Sequence, residues 1–248
     1  MLAAARRRDG VRIAATKSAL ADIVTEADRD VEDLIRARIA AARPEDGFLG
    51  EETGEGTGAS GITWVVDPID GTVNYAYGIP AYAVSIAAVA GPPDPGSWTV
   101  LAGAVFNPAT GEMFHAARRE GAWRNDTRLR VNSDVSDAGA LIATGFGYDP
   151  ATHAGDLARL AQVMPLARDI RRMGAASLDL ASVAAGRLDG YYERGLHPWD
   201  IAAGVVLVEE AGGTVGGPDG APAGAAMTIA ASPALFVRLA AAVARGPR

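Results

Sequence analysis

A chain of 248 residues with about half of them apolar is long enough to bury a sizeable core, as one large domain or two intimately joined halves. A formal net charge of −7, with Lys and Arg scattered, argues against nucleic acid or an anionic membrane as the main partner. Cysteine is absent, which excludes disulfides, thiolate nucleophiles and zinc–sulfur sites. No apolar run reaches the length of a membrane span and MLAAARRRDG lacks a signal-peptide core, so a cytoplasmic protein is expected.

Met1 to Arg8 reads as the tail of a helix, and Val11 to Lys17 alternates like a strand. In ADIVTEADRDVEDLIRARIAAA, Thr25 is a candidate N-cap with Asp28 three residues on. Val31, Leu34, Ile35, Arg38 and Ile39 form an amphipathic face until Pro44. Asp22 and Asp28 flank the helix start, where acids commonly compensate the helix dipole. Phe48-Leu49 is a short strand delivering Glu51-Glu52 into a Gly- and Thr-rich loop. Metal-binding carboxylates are often presented in this way, although adjacent surface glutamates are also often simply solvated.

Trp64, Val65 and Val66 read as a buried strand that Asp67-Pro68 brings to an end, leaving Asp67 and Asp70 at its exit in a turn stiffened by Pro68. Gly71-Thr72 opens a helix whose unpaired N–H groups suit a phosphate. Clustered carboxylates beside an anion site make chemical sense with cations between them, which suggests metal-bridged phosphate binding. Asp before Pro and Gly is also ordinary turn chemistry, and the spacing fails the alternating calcium-loop pattern. This stretch alone leaves both readings open.

Tyr82 to Gly91 reads as a buried strand, and Gly91 to Ser97 is a marked loop. WTVLAGAVFNP and GEMFHAAR form a hairpin around Pro108 to Gly111, and GAWRND with RLRV forms another, so the first half holds a large, mainly antiparallel sheet. From Ala140 onward strands and helices alternate. ATHAGDLARLAQVMP is helical up to Pro165, DIRRMG is a strand, and AASLDLASVAAGR is a helix ended by Gly186. LDGYYE is a strand leading to GLHPWD. The next helix has Pro198 and Asp200 in its first turn, with Ile201, Val205 and Val208 on one face before Gly212-Gly213. MTIAAS and PALFVRLAAAVAR finish with a strand and a helix. Asp200 alone reads as simple dipole compensation, His197 as a satisfied structural histidine, and His115 and His153 carry no signal.

Asp28, Glu51, Glu52, Asp67, Asp70 and Asp200 form one set, several at strand-to-helix transitions where sheets place ligand sites. GEET (Gly50 to Thr53), DPIDGTVNY (Asp67 to Tyr75) and PWDIAAG (Pro198 to Gly204), with TKSALADIVTEAD and RLDGYYE, resemble the motifs of the inositol monophosphatase family. The resemblance covers nearly the whole chain. It implies an α+β fold, a layered αβαβα sandwich of the inositol monophosphatase / fructose-1,6-bisphosphatase type, with a second, smaller sheet. The expected organisation is a single phosphatase domain over 1–248. Its N-terminal α+β half, 1–138, holds most metal ligands, and its C-terminal α/β half, 139–248, holds Asp200 and the substrate side.

The resemblance further implies a Mg²⁺-dependent, lithium-sensitive hydrolase with two to three ions. Glu51, Asp67 and the Ile69 carbonyl would hold the first ion, Asp67, Asp70 and Asp200 the second, with Glu51 facing a third through water. Oxygen-only ligands agree with the chemistry of Mg²⁺. Direct attack of a water on phosphorus is implied, with Thr72 and Asp28 orienting and deprotonating it and Glu52 ordering water. Asp70, Gly71, Thr72, Ala176 and Glu193 would bind substrate, and Lys17 would neighbour the lithium-sensitive site. Ala175 lacks the hydroxyl usual in the family's Gly-Ser/Thr-Ala turn. Family members usually begin with a longer helix, so Met1 to Arg8 would be only its tail, a loss of packing rather than of chemistry.

Val73-Asn74-Tyr75 favours inositol 1-phosphate as substrate over histidinol phosphate or nucleotide 3′-phosphates, whose phosphatases commonly carry Lys with Ser or Glu there. A fructose-1,6-bisphosphatase remains within the same fold, and a non-catalytic regulatory protein is disfavoured by the complete acid set. A small-molecule phosphate monoester is the expected partner, with a homodimer expected from the family alone.

Overall fold

The computed structural model describes residues 3, 13–16, 23–133, 135 and 139–246. Lys17, Asp22 and nearly all of the first expected helix lie outside these residues. Short runs of alternating burial, separated by Gly, Pro and Asn turns, dictate an antiparallel meander. It comprises β5 (Ile62–Asp70), β6 (Ala83–Ala90), β7 (Thr99–Asn107), β8 (Glu112–Ala117), β9 (Gly121–Arg124) and β10 (Thr127–Arg128). β3 (Gly47–Gly50) lies parallel to β5, and β4 (Gly54–Gly56) pairs antiparallel outside it. The eight-stranded sheet has the order β10-β9-β8-β7-β6-β5-β3-β4. A separate hairpin joins β1 (Ile13–Thr16) to β2 (Ile23–Thr25).

The second sheet has the order β12-β11-β13-β15-β14, from β11 (Ala140–Thr144), β12 (Ala167–Arg171), β13 (Gly190–Glu193), β14 (Thr214–Gly216) and β15 (Thr228–Ala231). β11 is parallel to both neighbours, and its crossovers run through α3 (Pro150–Val163) and α4 (Ala176–Ala184). Between the sheets, α4 packs against α5 (Pro198–Glu210), and α5 lies across β5 to β9. α1 (Glu26–Ala42) covers the outer side of the first sheet at β5, while α3 and α6 (Pro233–Ala244) cover the second. The layers run αβαβα, as expected.

The local differences have physical causes. β5 does not stop at Asp67-Pro68. It continues to Asp70 through a bulge, because β6 still pairs along it (Asp67 with Ser85, Asp70 with Ala83) while β3 has ended opposite Val66, so Pro68 leaves no ladder bond unmade on that side. The α1 face is also rotated. Ala27, Asp28, Val31 and Glu32 are buried, whereas Leu34 is 42% exposed. α5 is covered on most sides, from Ile201 to Val208, because a helix between two sheets has no free face. β2, β4 and β14 are short strands that periodicity over so few residues does not reveal.

Candidate active site

The bulged end of β5, the N-terminus of α5 and the loop after β3 converge on a cleft of about 260 Å³. Carboxylate oxygens of Asp67, Asp70 and Asp200 lie within 4.8 Å of one another. Glu51 and Ile69 line the same cleft. The bulge puts both Asp67 and Asp70 on the cleft side, which a regular strand with period two would not do for residues three apart.

Each acid is aimed by backbone. Asp67 Oδ1 accepts from the Ile69 amide (3.0 Å). Asp70 Oδ2 accepts from the Ser177 amide (2.7 Å) and the Ser177 hydroxyl. Asp70 thereby supplies the N-terminal acceptor that α4 lacks, since Ala175 at its N-cap makes no side-chain cap bond. Asp200 Oδ2 accepts from the His197 amide (2.7 Å). Gly71 begins the six-residue α2 (Thr72–Tyr77) with φ 84°, and a Cβ there would meet the Ala81 and Gly174 carbonyls at 2.9 and 3.1 Å.

Burial, and then the charges of Glu51, Asp70 and Asp200, push the Asp67 carboxyl well above the usual carboxylate range. Burial, with Asp70 next, does the same to Asp200. Burial lifts Asp70 to about 6 against the pull of its Ser177 hydrogen bonds. Such a set, stripped of counter-charge, binds protons more tightly than free carboxylates do. A divalent cation among these oxygens removes the conflict, so the donor set fits a hard ion such as Mg²⁺.

Asp28, 1% exposed, accepts from Thr72 Oγ1 (3.3 Å), and the same hydroxyl reaches the Ile69 carbonyl (3.0 Å). Its single proton serves one acceptor at a time. Asp28 stands behind Thr72 and does not line the cleft. Glu52 is also outside the cleft lining, and its backbone amide donates to Glu32 (2.9 Å).

Gly71, Thr72, Ala176 and Glu193 line the same cleft. Glu193 accepts from the Tyr191 hydroxyl (2.7 Å), and burial lifts it to about 7 although that bond and Arg172 pull it down. His197 stands at the N-cap of α5, in a capping box with Asp200. It is exposed on the cleft lining and stacks on Trp199 with ring centroids 4.8 Å apart, because the N-cap position leaves its ring outside the buried body of α5. Asn74 and Tyr75 turn inward. Asn74 donates to the Ala81 (2.7 Å) and Met173 (2.8 Å) carbonyls, and the Tyr75 hydroxyl to Ala3 (3.1 Å), so these residues brace the turn without touching the cleft.

Sequence reasoning missed Ser177, Glu32, Arg172 and Asp179. Asp179 is buried, and burial together with Glu193 and Asp70 raises it well above the usual range. A helix-first-turn Ser after the Gly-Ala-Ala turn was the available signal for Ser177.

A sequence profile of the inositol monophosphatase family matches residues 1–247. The chain is 44% identical over 251 residues to inositol-1-monophosphatase SuhB of Mycobacterium tuberculosis, covering 97% of this chain and 84% of that relative. It superposes on the extragenic suppressor protein SuhB of Bartonella henselae with TM-score 0.89 at 38% identity, over 99% of this chain and 93% of that one. Inositol monophosphatase II of Staphylococcus aureus, solved with inositol monophosphate bound, gives a TM-score of 0.73 at 28% identity over 86% and 82% of the two chains. Fold, cleft and relatives define a phosphoric monoester hydrolase. More narrowly, the chain belongs to the inositol monophosphatase family, whose enzymes are Mg²⁺-dependent, and its acid cluster suits that ion. No helix among the described residues is long and apolar enough to cross a membrane.

Proposed function

We propose that this protein hydrolyses inositol 1-phosphate to inositol and phosphate in the cytoplasm, as a homodimer, within a single domain whose halves are 1–138 and 139–248. The observation carrying the reading is the convergence of Asp67, Asp70 and Asp200 within 4.8 Å beside the polar wall that ends in Glu193. The Staphylococcus aureus relative solved with inositol monophosphate bound supports the substrate, and the sheets falling on either side of residue 138 support the halves. The homodimer rests on the family resemblance, and the cytoplasm on a cysteine-free chain that suits a reducing compartment.

Glu51, Asp67, Asp70, Asp200 and the Ile69 carbonyl are the residues that would hold Mg²⁺. When bound, the ions supply Lewis acidity to the phosphoryl oxygens and acidify the attacking water. The chain's own residues do the rest. Thr72 Oγ1, with its proton turned to Asp28 Oδ1, presents a lone pair to the water and passes the proton to Asp28 as the O–P bond forms. The bond to the inositol oxygen breaks in line, and that oxygen takes a proton from solvent water to leave as the alcohol. The Gly71 and Thr72 amides stabilise the phosphoryl oxygens, while Ala176 and Glu193 serve the substrate side, where Glu193 accepts from a ring hydroxyl. Glu52 orders water at the edge of the site.

Parallel kcat/KM measurements on inositol 1-phosphate, histidinol phosphate, fructose 1,6-bisphosphate and a nucleotide 3′-phosphate test the substrate. Preference for inositol 1-phosphate is expected, and a far higher value for another ester overturns it. Inhibition by tens of millimolar LiCl belongs to the same reading, and indifference to it counts against the lithium assignment.

A further inference from the structure

Glu32 has no role in the chemistry above, yet it is a carboxylate 0% exposed in a helix with few buried positions. A buried ionised acid without partners is costly, so its hydrogen bonds identify its task. Oε2 accepts from the Glu52 amide (2.9 Å), and Oε1 accepts from the Thr53 amide (2.8 Å) and from the Thr53 hydroxyl. These donors follow Glu51 directly in sequence. On the other side of Glu51, its own amide donates to the Val66 carbonyl (3.2 Å) on β5. Gly50 completes the fit, since a Cβ there would fall on the Glu32 carboxylate. One turn further along α1, Arg36 donates to the Thr53 hydroxyl and to the Gly54 carbonyl (3.3 Å), and its guanidinium lies 4.1 Å over the Phe48 ring. The Thr53 hydroxyl thus gives its one proton to Glu32 and receives one from Arg36.

Asp28, Glu32 and Arg36 are spaced four apart and share one face of α1. The first touches Thr72, and the other two clasp the turn after Glu51. We infer that Glu32 is a positioning residue for the metal centre: it fixes the Glu51 turn against α1, and so sets Glu51 relative to Asp67 and couples it to the Asp28–Thr72 pair. This rests on the metal reading of Glu51. A carboxylate is specifically required, because both oxygens accept from backbone N–H groups. The amide of a glutamine accepts at one end only and turns an NH₂ toward the remaining N–H.

The test is Glu32→Gln beside Glu32→Asp and wild type. Terbium luminescence and calorimetric Mg²⁺ titration are measured on the substrate-free protein, and kcat against Mg²⁺ concentration on the working enzyme. Residues that orient metal ligands typically change metal affinity about 10–100-fold when replaced. Glu32→Gln is therefore expected to raise the Mg²⁺ dissociation constant and the half-saturating Mg²⁺ concentration by about tenfold or more, with kcat at saturating Mg²⁺ within a few-fold of wild type. A Glu32→Gln protein that melts lower but binds Mg²⁺ and Tb³⁺ like wild type overturns the inference and leaves Glu32 a structural acid. If Glu32→Gln does not fold, Thr53→Ala, an exposed residue, removes one donor. It is expected to weaken Mg²⁺ binding in the same direction, and unchanged binding there overturns the inference equally. Wild type that binds neither ion defeats the metal reading itself, an outcome distinct from a Glu32 variant that matches a metal-binding wild type.

Discussion

The two walls of the cleft are built to different standards. On the metal wall every named aspartate accepts from a fixed backbone amide, that of Ile69, Ser177 or His197, and the Glu51 turn is tied to a helix and a strand. On the substrate wall Glu193 is held by one tyrosine hydroxyl, and α4 starts without a side-chain cap of its own. Backbone donors cannot be exchanged by mutation, whereas side-chain donors can. With the roles proposed above, the backbone-held acids would fix how a phosphate is cut, and replaceable side chains would decide which alcohol departs.

The largest expected effect tests the metal wall. Asp67→Asn, which keeps shape but removes the charge shared by the cluster, should lower Mg²⁺-dependent phosphate release by about 10²–10³-fold or more with an unchanged circular dichroism spectrum. Turnover at wild-type rate would remove Asp67 from the metal set. Next, Mg²⁺ at about 100 times its dissociation constant should stabilise the fold by about 2.7 kcal/mol, read as a higher Tm that EDTA reverses. A Tm indifferent to both reagents would mean that the wall holds no ion.

On the substrate wall, Glu193→Gln should raise KM about tenfold with kcat little changed, the loss expected of one charge-assisted hydrogen bond. Because Glu193 lies near 7, KM of the wild type should climb as pH falls through that value, and the Gln variant should lose that component of the profile. Stability of the metal-free protein runs the other way. Asp67, Asp70, Asp200 and Glu193 all bind protons more tightly folded than unfolded, so their contribution is fully present below about pH 4 and declines as pH rises, through about 6 for Asp70 and about 7 for Glu193. Thermal melts in EDTA should show this decline, and Mg²⁺ should flatten it. The smallest effect is Ala175→Ser, which gives α4 its missing cap and should add about 1 kcal/mol, or about 2–4 °C in Tm. No gain would show that Asp70 already serves that helix end in full.

The hairpins of the first sheet and the alternating strands and helices after Ala140 were legible in the sequence from turn residues and periodicity, whereas the αβαβα layering and the grouping of Asp67, Asp70 and Asp200 came from the resemblance of their motifs to those of the family. Three things were not. β5 runs past Pro68 since its partner strands end at different places, a fact belonging to the neighbours and not to Pro68. Glu32 sits among charged residues of a surface helix and looks solvated, and only its one-turn spacing from Asp28 hinted otherwise. Val73-Asn74-Tyr75 was read as a mark of substrate choice, but Asn74 and Tyr75 reach carbonyls behind the cleft, so any influence on specificity passes through the scaffold.

α5 carries Asp200 at its first turn, and its last residue, Glu210, accepts from the amides of Arg119 (2.7 Å) and Gly121 (2.8 Å) between β8 and β9. One rod thus carries Asp200, proposed above to hold metal, at one end and a clamp on a distant hairpin of the eight-stranded sheet at the other. In a folding chain, the ligand cluster cannot exist before this rod has docked between both sheets. Metal held by the complete set of acids would then stabilise only the assembled fold, so that binding and folding are linked.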